Sequence, residues 1–484
     1  MPFKKSEPEP PPERIDDMWH TARVVATLGP FVVSFLRDQR RWLWWGAPLE
    51  RTAAFHARRA KGLVAAITRL GPTFVKLAQV FAARADLIEE PYLTELGTLV
   101  DAVAPVPWPA VVRVLEAAYG APVPGPFESI DPAPLAAASL GQVHRARWQG
   151  REVVVKVLRP GIEGVVARDV AAARAITGWA ARQWPVPHVQ GLAAMVEEFA
   201  ERVAEELDFR QEAAYATEVR ANFASEPDVV IPEVIQPLVT QRALGLEYIA
   251  GRRVDRLDPA TVDARRLATA VMTTYVQMML VDGLFHADPH PGNLMVDAQG
   301  RLVLLDFGMM VRVPQQMRLT LVRTVFASVR RSVPDVAAGF HALGLVAPGA
   351  DPREIERLAG VMITMADTVS TTRDRLETIL TDRIMSALHD FPVLLPRELV
   401  YFARTAALIE GLGTRYDPYF NAIAVGTPLV LRMRTRILRS LGDDAAPSVE
   451  EVAAIAGWAA GAAVARVRSV ARGVRAAARV MLGG

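Results

Sequence analysis

His286-Ala287-Asp288-Pro289-His290-Pro291-Gly292-Asn293, followed after a short interval by Leu305-Asp306-Phe307-Gly308, is the stretch on which the fold turns. A phosphoryl-transfer site needs one Asp near the transferred group, an Asn five residues on to hold a metal ion, and a second Asp, in D-F-G, for the metal bridging the phosphates. Asp288, Asn293 and Asp306 stand in that order and spacing. Between them LMVDAQGRLVLL places two apolar, β-prone runs around the turn-like Asp297-Ala298-Gln299-Gly300, so a hairpin would bring Asp306 back beside Asn293. Either fragment alone reads as an ordinary loop; order, spacing and hairpin together predict a nucleotide site.

Upstream, Val153-Val154-Val155-Lys156-Val157 is a β-branched run carrying one lysine, as in the kinase strand whose ammonium holds the α/β-phosphates. A strand lysine is usually a solvated one. Lys156 instead has apolar neighbours on both sides, and Gln149-Gly150-Arg151-Glu152 reads as a turn joining its strand to another at His144 to Trp148. Where a kinase has a glycine-rich loop, this chain has Ala136-Ala137-Ala138-Ser139-Leu140-Gly141-Gln142-Val143-His144. Glycine lets backbone N–H groups approach phosphates closely, whereas each alanine Cβ restricts φ and stiffens the loop.

These strings, with Glu206-Leu207-Asp208-Phe209-Arg210-Gln211-Glu212 and VVVKVLRPG, resemble the UbiB family of atypical kinases, the ADCK proteins of eukaryotes, from about Gly71 to about Tyr419. The resemblance implies an α+β, atypical protein-kinase-like bilobal fold with a helical N-terminal extension and extra helices, binding ATP and Mg²⁺. It implies that Asp288, Lys156 and Glu212 are catalytic, with Glu212 pairing with Lys156. Asn293 and Asp306 would hold the metal. Nucleotide contacts would come from Ala136, Ala137, Ala138, Ser139, Gly141, Gln142, Lys156 and Glu247, the last in the hinge Glu247-Tyr248-Ile249. Glu206 and Asp208 match the family's E-x-D motif, and on one helix Glu206 and Glu212 would lie at about 240° to each other and serve different partners. The K-x-G-Q signature stands here as Lys76-Leu77-Ala78-Gln79, with Ala in place of Gly. Phe74, Leu77, Ala78 and Phe81 form an apolar stripe there while Lys76 points elsewhere, which by itself reads as a solvated lysine. By resemblance, Lys76 and Gln79 are regulatory and reach in beside the E-x-D carboxylates, over the groove where a protein substrate would lie. Ala287 replaces the Arg that reads a phosphorylated activation loop, His290 replaces a Lys, and no A-P-E follows D-F-G. Slow ATP hydrolysis, or transfer to a small or lipid-like acceptor such as a prenyl-quinone precursor, is expected in place of efficient protein phosphorylation.

The 484 residues exceed one ordinary core and divide on composition into a Pro/Glu-rich disordered tail (1–14), a helical extension (15–121), a small lobe (122–249), a large lobe helical outside the metal hairpin (250–445) and an Ala/Arg-rich amphipathic tail (446–484). In the small lobe, helices are expected around Val165 to Trp184 and Gly191 to Phe223. A net charge of +2 argues against a dedicated nucleic-acid binder, and zero cysteines exclude disulfide and thiolate chemistry. No stretch reaches the ~20 apolar residues of a spanning helix; Val24 to Leu36 is broken by Gly29-Pro30. The basic amphipathic tail and Arg40-Arg41-Trp42-Leu43-Trp44-Trp45 suit peripheral contact with a membrane, expected at its cytoplasmic face, although the tail also reads as an Ala-rich helix packed on the large lobe. Quinone-biosynthesis proteins are expected partners. A nucleotide-binding pseudokinase scaffold and a small-molecule phosphotransferase are the competing functions.

Overall fold

In the computed structural model the structure describes residues 14–38, 51–82, 88, 90–99, 104–183, 187–258, 263–287, 291–346, 349–368, 396–416 and 422–441. The termini, Arg40 to Trp45, the 446–484 tail, Asp288 and His290 lie outside them. The strands are β1 (Ser129–Ala137), β2 (Gly141–Trp148), β3 (Arg151–Leu158), β4 (Val229–Val230), β5 (Val234–Val239), β6 (Ala243–Glu247), β7 (Gly251–Arg253), β8 (Leu284–His286), β9 (Leu294–Asp297), β10 (Leu302–Leu304) and β11 (Met310–Arg312). The helices are α1 (Arg14–Asp38), α2 (Ala53–Leu70), α3 (Pro72–Ala82), α4 (Tyr92–Gly97), α5 (Trp108–Tyr119), α6 (Ile162–Gln183), α7 (Pro187–Glu206), α8 (Phe209–Asn222), α9 (Ala264–Val276), α10 (Gln315–Val329), α11 (Val333–Ala342), α12 (Pro352–Thr368), α13 (Arg397–Tyr416) and α14 (Ala422–Leu441). Two compact units result: Met1–Ala214 with Glu233–Tyr248, and Tyr215–Pro232 with Ile249–Gly484.

The first unit holds an antiparallel sheet in the order β1-β2-β3-β6-β5. Successive side chains of a strand alternate faces, and in β3 Val153, Val155 and Val157 are fully buried against Val111, Val114 and Leu115 of α5. Lys156 therefore falls on the opposite face. The β2–β3 turn is two residues long, with Gln149 and Gly150 at φ 47° and 76°. Left-handed conformations at both positions match the twist of a hairpin.

The helices of this unit depart from expectation at two places. Helix α1 continues through Pro30, which lacks an N–H to donate, because tertiary packing overrides the local breaker. Val24 is buried, and Gly62 of α2 leaves room for the Phe31 ring, 3.3 Å from where a Cβ would stand. The helix expected over Gly191 to Phe223 is two helices, with α7 ending at Glu206 and α8 starting at Phe209. Asp208 makes the break by capping: its Oδ1 accepts from the Arg210 N–H at 3.0 Å. The Phe209 N–H donates to Gln241 O at 3.1 Å, tying the start of α8 to the β5–β6 turn.

The second unit is not wholly helical outside the metal hairpin, as the sequence reading expected of the large lobe, because short strands add to that hairpin. Its four-stranded sheet runs β4-β10-β9-β7, and β8 pairs with β11. The hairpin forms as expected: Val296 pairs with Leu302, Met295 with Val303 and Leu294 with Leu304. Asp297 closes it by accepting from the N–H groups of Gln299 (2.9 Å) and Arg301 (2.8 Å) and from Arg301 Nε (2.7 Å). Burial opposes ionisation of Asp297, yet these Arg301 bonds hold its carboxyl below the usual range. Helices α9 to α14 complete this unit. Before β8 the chain makes a π-helical turn, Gln277–Asp282, stopped by Gly283 at φ 66°.

Candidate functional site

In the first unit Lys156 Nζ donates to Glu212 Oε1. The two side chains are 17% and 7% exposed, so the pair is largely out of water. Glu212 sits one turn into α8, where the Phe209–Gln241 bond fixes the helix start against the sheet edge. A strand lysine held by a helix glutamate is the arrangement expected from resemblance. Glu206 and Glu212 do serve different partners, but from two helices and not from two faces of one.

Lys76 on α3 donates to Glu206 Oε2 at the last residue of α7, with the side chains 17% and 13% exposed. Thr73, Phe74, Val75, Leu77 and Ala78 are buried on α3, so the helix lies down on its apolar stripe and delivers Lys76 to Glu206. Asp208, the other acid of the motif, turns to Arg210, whose Nε donates to it at 2.8 Å. That guanidinium keeps the Asp208 carboxyl below its ordinary pKa. Gln79 donates to the Leu99 carbonyl at 3.1 Å, a contact with the extension's own backbone.

The alanine-rich segment divides into parts with different duties. Ala136 and Ala137 are ladder residues paired with Val143 and Gln142, leaving Ala138-Ser139-Leu140 as the turn, with Ser139 buried. Gly141 is required for close approach, because a Cβ there would stand 2.8 Å from the Val157 carbonyl oxygen. Gln142, expected among the nucleotide contacts, is held by internal hydrogen bonds. Its Oε1 accepts from Val106 N at 2.9 Å, its Nε2 lies 2.7 Å from His144 Nε2, and His144 Nδ1 lies 2.8 Å from Asp131 O. Burial pushes the His144 pKa down, in keeping with a neutral ring that accepts at Nε2 and donates at Nδ1. Arg159 straps the same turn: its Nε donates to Ala138 O at 2.8 Å, its N–H to Leu140 O at 2.8 Å, and its Nη2 to Ala104 O at 3.0 Å. Sequence reading missed Arg159, although it stands within the quoted VVVKVLRPG. Glu247, at the end of β6, accepts from the Glu233 N–H at 3.1 Å.

In the second unit Leu305 N donates to Asn293 O at 3.0 Å, so the hairpin brings the D-F-G strand back to Asn293. Asp306 Oδ1 accepts from Gly308 N at 3.0 Å, which fixes the carboxyl's orientation, and Phe307 is fully buried beside it. Among the described residues no group of three or more His, Asp or Glu side chains is arranged to hold a metal. The donor set of Asn293 and Asp306 is nevertheless two hard oxygen ligands, one of them a carboxylate. That fits Mg²⁺, which takes one or two carboxylates and completes its shell with water and substrate phosphates.

Fold and site together define a kinase-like protein. The ABC1 atypical kinase-like domain model matches residues 98–338. Uncharacterized protein sll0095 of Synechocystis is 32% identical over 402 residues, covering 80% of this chain and 70% of that one. Protein ACTIVITY OF BC1 COMPLEX KINASE 3, chloroplastic, of Arabidopsis thaliana is 31% identical over 411 residues, 84% of this chain and 56% of that one. The Rv3197–erythromycin complex from Mycobacterium tuberculosis superposes with a TM-score of 0.54 at 26% identity, covering 75% of this chain and 94% of that one. The chain belongs to the ABC1 atypical kinase-like family. It spans 60% to 72% of the length of four Synechocystis relatives.

Proposed function

We propose that this chain is an ATP-binding, Mg²⁺-dependent atypical kinase or ATPase. Its acceptor, where it transfers, is small or lipid-like, and it serves isoprenoid-quinone or other prenyl-lipid metabolism at a membrane face. The observation that carries the reading is the Lys156–Glu212 pair. A largely buried strand ammonium oriented by a helix glutamate is placed as the lysine that meets phosphate oxygens in phosphoryl-transfer sites. Lys156 would hold the α/β-phosphates, Asn293 and Asp306 the metal, and Asp288 would orient the acceptor. Mg²⁺, when bound, neutralises charge on the phosphates. The alanine turn, anchored by Arg159 and by the Gln142–His144 chain, would cover the nucleotide stiffly. Lys76, held by Glu206, would restrain access of a protein substrate. The quinone and lipid link, and partners from quinone biosynthesis, rest on family resemblance.

A second reading, small-molecule phosphotransfer, is supported by the likeness to Rv3197, which was solved with erythromycin. Calorimetry with ATP, with and without Mg²⁺, tests the nucleotide site: Asp306→Asn is expected to lose most metal-dependent binding, and Asp288→Asn to keep binding and lose turnover. Equal binding by wild type and Asp306→Asn refutes the assignment. Products from labelled ATP then separate hydrolysis (free phosphate), transfer (a phosphorylated lipid or macrolide) and a scaffold (no turnover).

A further inference from the structure

Helix α1 is apolar on two faces, and only one of them is packed. The inner face buries Val24 and half-buries Leu28, Phe31 and Phe35. Both ends are pinned. Near the start, His20 Nε2 lies 2.6 Å from Oδ1 of Asp169 on α6. At the end, Arg59 of α2 reaches Asp38 Oδ2 at 2.6 Å and Ser34 Oγ at 3.1 Å, with its guanidinium 3.9 Å from the Phe35 ring centre. Pins at both ends fix the helix's rotation about its own axis, so its outer face is set by the fold.

That face carries Trp19 (74% exposed), Val25 (48%), Val32 (47%) and Val33 (56%), with Ala22 and Ala26 also exposed. At ~100° per residue these six fall within about 140° of arc, with Trp19 at one margin and exposed Arg23 and Arg37 beside it. From Met18 to Arg37 the chain has no acidic residue. From Trp19 to Arg37, among the described side chains, the outer face is therefore an apolar strip whose exposed charges, Arg23 and Arg37, are positive. Apolar strip, marginal Trp and marginal Arg are what an interfacial helix presents: side chains enter the acyl boundary, the indole sits at headgroup level, and arginines reach anionic phosphates. Among the described residues no helix is long and apolar enough to cross a membrane, α1 included. The sequence directly after α1 repeats the composition in Arg40-Arg41-Trp42-Leu43-Trp44-Trp45.

We infer that the outer face of α1 is a docking surface for an anionic lipid bilayer, with the helix lying in the plane of the interface. The inference rests on the membrane-face part of the proposed function and is independent of the nucleotide site. The test is co-sedimentation of the full chain with vesicles of phosphatidylcholine, with and without phosphatidylglycerol, for wild type, Val32→Glu/Val33→Glu, and Val361→Glu, an exposed valine of α12. Wild type is expected to bind the anionic vesicles more than the neutral ones and to release with salt. The double variant should lose at least about ten-fold in partitioning, because two buried valines become charges in the interface, while Val361→Glu binds as wild type does. Melting and ATP binding should not change, which keeps loss of docking distinct from misfolding and from failure of the nucleotide reading. The inference is overturned if wild type does not bind, if neutral vesicles serve equally, or if both variants behave alike. It is also overturned if light scattering shows a dimer that Val32→Glu/Val33→Glu dissociates, since the face would then join two copies.

Discussion

Replacing Lys76 with Met removes the ammonium and keeps most of the side chain's volume, so its effect isolates the charge. Glu206 then loses the Lys76 charge, the two side chains being 13% and 17% exposed in the pair. Breaking a fully buried pair costs ~3–5 kcal/mol, and an exposed one ~0.2–1 kcal/mol. A pair this far from water but still touched by it should lie between, near ~2 kcal/mol, which for a unit of this size lowers Tm by about 4–8 °C. Lys61, exposed on α2, is the matched control, and Lys61→Met should stay within about 0.5 kcal/mol of wild type. Removing both charges in Lys76→Met/Glu206→Gln should recover part of the loss, because the carboxylate charge that the ammonium balanced is gone as well. Thermal melts of the four proteins, with ATP turnover measured alongside, make the comparison; the Lys76 variants should change turnover and Lys61→Met should not. Identical melting and kinetics for Lys76→Met and Lys61→Met would return Lys76 to the status of a solvated lysine. A double variant no more stable than the single would refute the pairing argument.

Gly141→Ala should destabilise the first unit by more than ~1 kcal/mol, because the new Cβ would meet the Val157 carbonyl, a main-chain atom that no rotamer change can move; a melt indistinguishable from wild type would mean the β2–β3 ladder is looser than described. Asp282 offers a pH test. Burial pushes its pKa up from 3.8 to about 6, against the pull of Arg436. The folded state thus holds the proton that the unfolded state has released, and stability contributed at this site is full below about pH 4 and lost as pH rises through 6. Relative to Asp282→Asn, wild type should lose Tm between pH 4.5 and 7.5, and parallel Tm–pH curves for the two would overturn the assignment.

What the sequence made legible was whatever is set by short-range pattern. Two apolar runs around a turn placed the hairpin between Asn293 and Asp306, and β-branching with a flanking Gln149-Gly150 turn placed Lys156 on its strand. The Lys156–Glu212 and Lys76–Glu206 pairs, distant in sequence, were reachable only through family resemblance, since no periodicity joins residues that far apart. The break between α7 and α8 was missed because Asp208 also fits a helix interior in a charged run; its role as a cap emerges only once Arg210 and the Gln241 carbonyl are in place. Gln142 has a second duty that pattern alone did not show, since its bonds to Val106 and His144 join residues that no short-range signal connects. Pro30 leaves α1 unbroken, because packing on α2 and α6 outweighs one lost hydrogen bond.

The Arg159 strap bears on how this loop can evolve. Its partners are the main-chain carbonyls of Ala138, Leu140 and Ala104, which every amino acid possesses. Anchorage of the turn is thereby uncoupled from the identity of the residues in it. Mutational drift at 104 or 138, exchanges of alanine for glycine included, leaves the tether standing, whereas substitution at 159 removes the two side-chain bonds to Ala138 and Ala104. Lysine there would keep the charge but lose the planar fork that bonds two separate carbonyls at once. The sequence of this turn can therefore change by single steps without passing through an unanchored ancestor.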